Sequence, residues 1–152
     1  MPVYGSGGFT TYSVAELSRQ LANWVESGIT RVKMKVGMQP GDDVMRVKAA
    51  RHAIGDNITL MIDANGAYQT AQAIRFAHAF AESDVRWFEE PVSSDDLEGL
   101  RAVRDHAPAA MAVAGHVSIP TAVRRATGIS RCERADYRTI IEARLGVRLE
   151  PV

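Results

Sequence analysis

From residue 13 the chain alternates two hydrophobic rhythms. Val14, Leu17, Leu21, Trp24 and Val25 make one apolar stripe at helical spacing, closed by Gly28. Ser13 followed three residues later by Glu16 reads as a capping box at its start. "TRVKMKVG" then reads as a strand. A helix is expected from about Gly41-Asp42-Asp43, with acids in its first turn, to Gly55. "NITLMIDANGAY" predicts the next strand, and Thr70 a cap for a helix over residues 71–82. "VRWFEEPV" is a further strand, Ser93, Ser94, Asp95 and Asp96 open a helix to about His106, and "AAMAVAG" is a fifth strand. The opening "PVYGSGGF" is a short extended piece.

Strand and helix in strict alternation imply parallel strands joined by crossover helices, and near-continuous apolar strands imply that both faces are covered. The period is regular: 28 residues separate Lys35 from Asp63, and 26 separate Asp63 from Glu89 and Glu89 from Gly115. Such βα units suit a (β/α) barrel, and a doubly wound sheet shows them too. Beyond Gly115 the pattern fails. Residues 116–152 allow a short helix near 121–126 and a longer one near 133–145, with no strand of the earlier kind.

Composition adds limits. The 152 residues, 46% hydrophobic and 24% charged, have room for one domain with a core. A net charge of zero argues for neither nucleic acid nor membrane partners. No apolar run approaches the roughly 18 residues of a membrane span, no signal peptide pattern opens the chain, and the single Cys132 precludes an internal disulfide, so a cytoplasmic location is expected. Charge is uneven. Residues 1–115 carry 11 Lys+Arg against 14 Asp+Glu, whereas residues 116–152 carry seven arginines, no lysine and four acids. Those arginines are interleaved with acids and one aromatic, Tyr137, which fits a solvated helix better than a nucleic-acid surface.

The chemistry lies at the strand ends. Lys33 and Lys35 share one face of an otherwise buried strand, which is costly unless something on that face needs them. Asp63 with Asn65, and Glu89 with Glu90, end the next two strands. Neighbouring strands lie about 4.8 Å apart, so these ends converge within one ion's reach. Two carboxylates on adjacent strands suit a hard cation such as Mg²⁺, which stabilises charge formed when a proton leaves the carbon α to a carboxylate. A lysine beside a cation in poor solvent is driven toward its neutral form, as a general base requires. Read singly, Lys33 and Lys35 fit snorkelling lysines, "DANG" a turn, Glu90 a structural acid, and "EEP" a strand end. His52, His78 and His106 fall in helix patterns, and Cys132 has no base to pair with. "YGSGGF" lacks the G-x-G-x-x-G spacing of a dinucleotide loop.

"VKMKVG", "MIDANGAY" and "WFEEPV", in that order and spacing, resemble the barrel domain of the enolase superfamily, on the side of mandelate racemase and the acid-sugar dehydratases. The resemblance covers residues 2–115. It implies a partial TIM-type barrel of about five βα units, with Lys35 as the base, Lys33 its auxiliary, Asp63 and Glu89 as Mg²⁺ ligands, and Asn65 lining the site of a small carboxylate substrate. It further implies α-proton removal followed by dehydration of an acid sugar, or by racemisation or epimerisation. "MPVYGSGGF" is similar to the segment joining the family's capping domain to its first barrel strand. The family's third metal ligand is an acid in a pattern like A-G-E, where this chain reads "AVAGHVS"; His116 stands there as a candidate ligand, although imidazole matches Mg²⁺ poorly. The capping domain and the later strands, with the partner acid/base, have no counterpart, against roughly 250 residues in a complete barrel. Two expectations follow. Residues 116–152 are a divergent, Arg-rich tail of the kind a frameshift or truncation leaves, and the half barrel self-associates through its open strand edge. The rival expectation is a truncated barrel that folds or oligomerises without activity.

Overall fold

The structure, a computed structural model, describes residues 3–115. Residues 116–152, with the two helices expected there, Cys132 and His116, lie outside the described residues.

Five strands and four helices alternate: β1 (Gly5–Gly7), α1 (Val14–Glu26), β2 (Arg31–Lys35), α2 (Pro40–Ile54), β3 (Thr59–Asp63), α3 (Thr70–Ala81), β4 (Val85–Glu89), α4 (Leu97–His106) and β5 (Ala112–Ala114). All pairings are parallel, and the sheet runs β1-β2-β3-β4-β5 in chain order. That order decides between the two architectures left open by the periodicity. A doubly wound sheet reverses its winding at a switch point and carries helices on both faces. Here the winding never reverses, and α1 packs on α2, α2 on α3, and α3 on α4 in one row. With crossovers of one hand, all the helices fall on one face, as in a (β/α) barrel.

The core lies between that row of helices and the sheet. Val32, Met34, Leu60, Ile62 and Phe88 point into it, and meet Leu17, Leu21, Val47, Ala50, Ala73, Ala77, Phe80 and Val103 from the helices. Phe80 stacks on Phe76 and meets Phe88 edge-on. At β1, a Cβ on Gly5 would come within 2.5 Å of the Trp24 ring, so glycine lets α1 lie close on this strand. The capping box of α1 is present, with Glu16 N–H donating to Ser13 Oγ (3.3 Å) and Ser13 N–H to Glu16 Oε2 (2.9 Å). Thr70 does not cap α3. The cap is Gln69, without a side-chain bond, and Thr70 is the first helical residue, its Oγ1 donating to Asp96 Oδ2.

One irregularity governs which residues share a face. Leu60 pairs with Val85 but Met61 pairs with Trp87, so Arg86 is an extra residue in β4. Val85 and Phe88 are both buried, while Arg86 and Trp87 are exposed. Strict alternation from Val85 would have put Glu89 on the helix side. The bulge resets the count, so Phe88 enters the core and Glu89 emerges beside Asp63.

Candidate active site at the strand ends

Lys35, Asp63 and Glu89 are lateral neighbours across β2, β3 and β4, each the Cα partner of the next. Lys33 lies one residue pair below on the same face. Lys35 Nζ donates to Asp63 Oδ2 (2.5 Å) and to Asn65 Oδ1 (2.9 Å). Lys33 Nζ donates to Glu89 Oε2 (2.6 Å) and stands 3.9 Å from Asp63 Oδ2. Five of the six residues singled out from the sequence as catalytic, metal-binding or substrate-lining are therefore brought together, as two hydrogen-bonded groups joined by the Lys33–Asp63 ion pair.

The cluster is graded in exposure. The Asp63 and Lys33 side chains are 4% and 10% exposed, those of Lys35 and Glu89 25% and 30%, so the lysine designated as base is also the one that faces out. Burial pulls the Lys33 pKa down, but the hydrogen bond and charge of Glu89, with Tyr4 and Asp63, more than offset it and the ammonium is held above its ordinary range.

The turn after β3 serves both backbone and site. Asn65 has φ 48° and Gly66 φ 76°, the left-handed region that Asn and Gly tolerate. In that conformation Asn65 N–H donates to Asp63 Oδ1 (2.9 Å), its side-chain oxygen accepts from Lys35, and its Nδ2 donates to Glu90 Oε2 (3.3 Å). Turn and site are one device here. Glu90 is itself at φ 43°, a strained value for a glutamate, directly after the strand that carries Glu89.

Three companions were not evident from the sequence. The Tyr4 ring lies under Lys33, 5.3 Å from Nζ to its centroid. Trp87 Nε1 donates to Glu89 Oε2 (3.3 Å). Ser6 is the Cα partner of Lys33 on β1. The signal available was alternation: Tyr4, Ser6 and Trp87 occupy the same parity as the strand-end residues once the bulge is counted.

A cavity of about 470 Å³ opens beside Lys35 and Asn65, walled by Phe9, Met38, Ala64 and Ala67. A larger one, about 630 Å³, lies between the loop after β1 and the start of α2 and touches none of the strand-end residues. Asp63 and Glu89 offer a hard cation what it needs, two carboxylates from adjacent strands. Among the described residues no group of three or more His, Cys, Asp or Glu converges on a metal position. His116, the candidate third ligand, is outside them.

A parallel sheet wound in one direction, with lysine, aspartate and glutamate at three successive strand ends, defines a segment of a (β/α) barrel that carries its candidate site at the carboxyl ends of its strands. Residues 16–145 match the family of Enolase C-terminal domain-like proteins, and the chain belongs to that family. It is 42% identical over 107 residues to 3,6-anhydro-alpha-L-galactonate cycloisomerase of Streptomyces coelicolor, across 69% of this chain and 30% of that protein. The fold superposes on a mandelate racemase/muconate lactonizing enzyme-like protein from Rubrobacter xylanophilus with a TM-score of 0.73 and 55% identity, covering 75% of this chain and 32% of the other. It also superposes on a racemase from Streptomyces coelicolor with bound magnesium, with a TM-score of 0.70 and 38% identity, covering 76% of this chain and 32% of that one. The chain thus spans about a third of the length of these relatives. No described helix is long and apolar enough to cross a membrane.

Proposed function

We propose that this chain carries the base-and-metal half of an active site that removes the proton α to a carboxylate. The observation that supports this most directly is the single cluster in which Lys35 contacts both Asp63 and Asn65 while Lys33 contacts Glu89. In this reading Asp63 and Glu89 hold Mg²⁺, which when bound supplies positive charge to a substrate carboxylate and to the extra negative charge that develops on it. Lys35, the more exposed lysine, takes the α-proton on Nζ, and the C–H electron pair passes into the carboxylate to give an enediolate. Lys33, buried and paired with Glu89, stays protonated, orients that carboxylate and places a second positive charge near the substrate's. Asn65 gives Lys35 a second acceptor beside Asp63. Relatives named as a cycloisomerase, an L-talarate/galactarate dehydratase and a dipeptide epimerase match this chain, and all three chemistries can start from the same proton removal. We favour loss of a β-hydroxyl from an acid sugar as the second step.

Titration calorimetry of the full chain with MgCl₂ tests the metal half. Binding that is lost in Asp63→Asn and in Glu89→Gln is expected. Exchange of the α-proton of sugar acids in D₂O, followed by NMR, tests the base: Lys35→Met should abolish it and leave Mg²⁺ binding in place. A second reading, a barrel segment that binds without turnover, draws on the two rather than three acids gathered among the described residues. Mg²⁺ binding without exchange in the wild-type chain would select it, and absence of both would remove the proposal.

A further inference from the structure

The buried stripe of α2 consists of Asp43, Arg46, Val47, Ala50 and Ile54, so its first two members are charged. Asp43 is 1% exposed and Arg46 7%. Burial of this kind is costly and calls for partners. Asp43 and Arg46 attract each other within the helix, and every hydrogen-bond partner of the two side chains belongs to a loop that leaves the carboxyl end of a strand. Arg46 donates through Nη1 to Tyr12 O (2.6 Å) and through Nη2 to Phe9 O (3.0 Å), both in the loop after β1. Asp43 Oδ2 accepts from Gly37 N–H (2.9 Å), after β2, and from Tyr68 O–H (2.5 Å), after β3. One turn of one helix, on the far side of the sheet from the cluster, grips three consecutive βα loops.

Two of these grips are close in sequence to the cluster. Gly37 is two residues beyond Lys35, and Tyr68 three beyond Asn65. Gly37 has φ 104°, and a Cβ there would lie 2.5 Å from Ala67 Cβ, so the two loops also approach each other closely at this point. Tyr68 is buried and packs on Phe76 and Phe88, which leaves its hydroxyl little freedom to find another acceptor.

We propose that Asp43 is a positioning residue: by accepting from Gly37 and Tyr68 with one carboxylate oxygen, it fixes the separation of the loop that follows Lys35 from the loop that carries Asn65. It touches no reacting atom. Its consequence for metal and base rests on the function proposed above, whereas its consequence for Asn65 does not. Of its two hydrogen bonds, the one from Gly37 holds the lead-in to α2 and the one from Tyr68 reaches into the next βα unit, so the carboxylate ties two units together.

The test compares Tyr68→Phe, which deletes one donor and keeps the ring in the core, with Val47→Ala, which removes core packing from the same helix and no hydrogen bond. Two readouts are taken on the full chain: the Asn65 side-chain amide resonances in a ¹⁵N correlation spectrum, and Mg²⁺ affinity by calorimetry. Tyr68→Phe is expected to move the Asn65 resonances and to weaken Mg²⁺ about tenfold, in the range found when groups that orient metal ligands are removed. Val47→Ala should lower stability and move neither. Asn65 resonances that stay in place in Tyr68→Phe overturn the proposal, as does an equal displacement in Val47→Ala. A wild-type chain that binds no Mg²⁺ sinks the metal reading, and the Asn65 resonances then decide the positioning role alone.

Discussion

Lys35 and Asp63 are Cα partners on adjacent parallel strands, and their side chains meet with Nζ 2.5 Å from Oδ2. Twenty-eight residues separate them in the chain, one full βα unit, and the pair is repeated one unit on by Asp63 and Glu89. The cluster is therefore a property of the repeat and not of any single motif.

Glu89→Gln leaves the Lys33 ammonium, 10% exposed at its side chain, with only the more distant Asp63 as a charged partner. Loss of one member of a partly buried pair should cost about 1–2 kcal/mol, below the cost for full burial because Glu89 is partly solvated. Urea denaturation at pH 7 measures it.

The same pair sets a pH dependence. The folded-state pKa of Lys33 lies above its ordinary value of 10.5, because Glu89, Tyr4 and Asp63 outweigh burial. A raised lysine contributes stability in full below the unfolded pKa and loses it as pH rises through the folded one. The stability advantage of the wild type over Lys33→Met should be flat from pH 7 to 9 and shrink above about pH 10.5, as read from denaturation midpoints across that range.

Gly37→Ala combines a positive φ with a clash against Ala67. The expected cost is about 2–4 kcal/mol. Since the strain is applied two residues from Lys35, α-proton exchange should fall even at temperatures where circular dichroism shows the variant folded.

Ser13→Ala removes the acceptor for Glu16 N–H at the start of α1, remote from the cluster. It should cost about 1 kcal/mol and leave Mg²⁺ binding unchanged, a control for effects that act through stability alone.

Much of this could be read from residue order. Lys33, Lys35, Asp63 and Glu89 declared themselves because charged side chains in apolar strands are expensive, and because their spacing matches one crossover. Ser13 and Glu16 named their own helix start. What escaped depended on three-dimensional bookkeeping. Arg86 looks like any surface arginine in "VRWFEE", and only pairing with β3 shows that it is the residue by which β4 changes phase. Asp43 reads as an ordinary acid in a helix's first turn, favourable there by the helix dipole, whereas it is buried and its carboxyl is pushed up by desolvation against the pull of Tyr68, Gly37 and Arg46. Arg46 breaks the apolar stripe of α2 in the sequence but completes it in space. Periodicity by itself left barrel and doubly wound sheet open, since the order of strands is not written in their period; the resemblance carried by "VKMKVG", "MIDANGAY" and "WFEEPV" pointed to the barrel, and the chain-order sheet agrees with it.

The chain-order arrangement of strands has a consequence for how the molecule comes into being. Each neighbour in the sheet is the next strand synthesised, so both partners of the Lys35–Asp63 contact exist once residue 63 has been made, and both partners of Lys33–Glu89 once residue 89 has. A growing chain can lay down these charge pairs in the order in which they leave the ribosome, each new strand finding its edge already waiting.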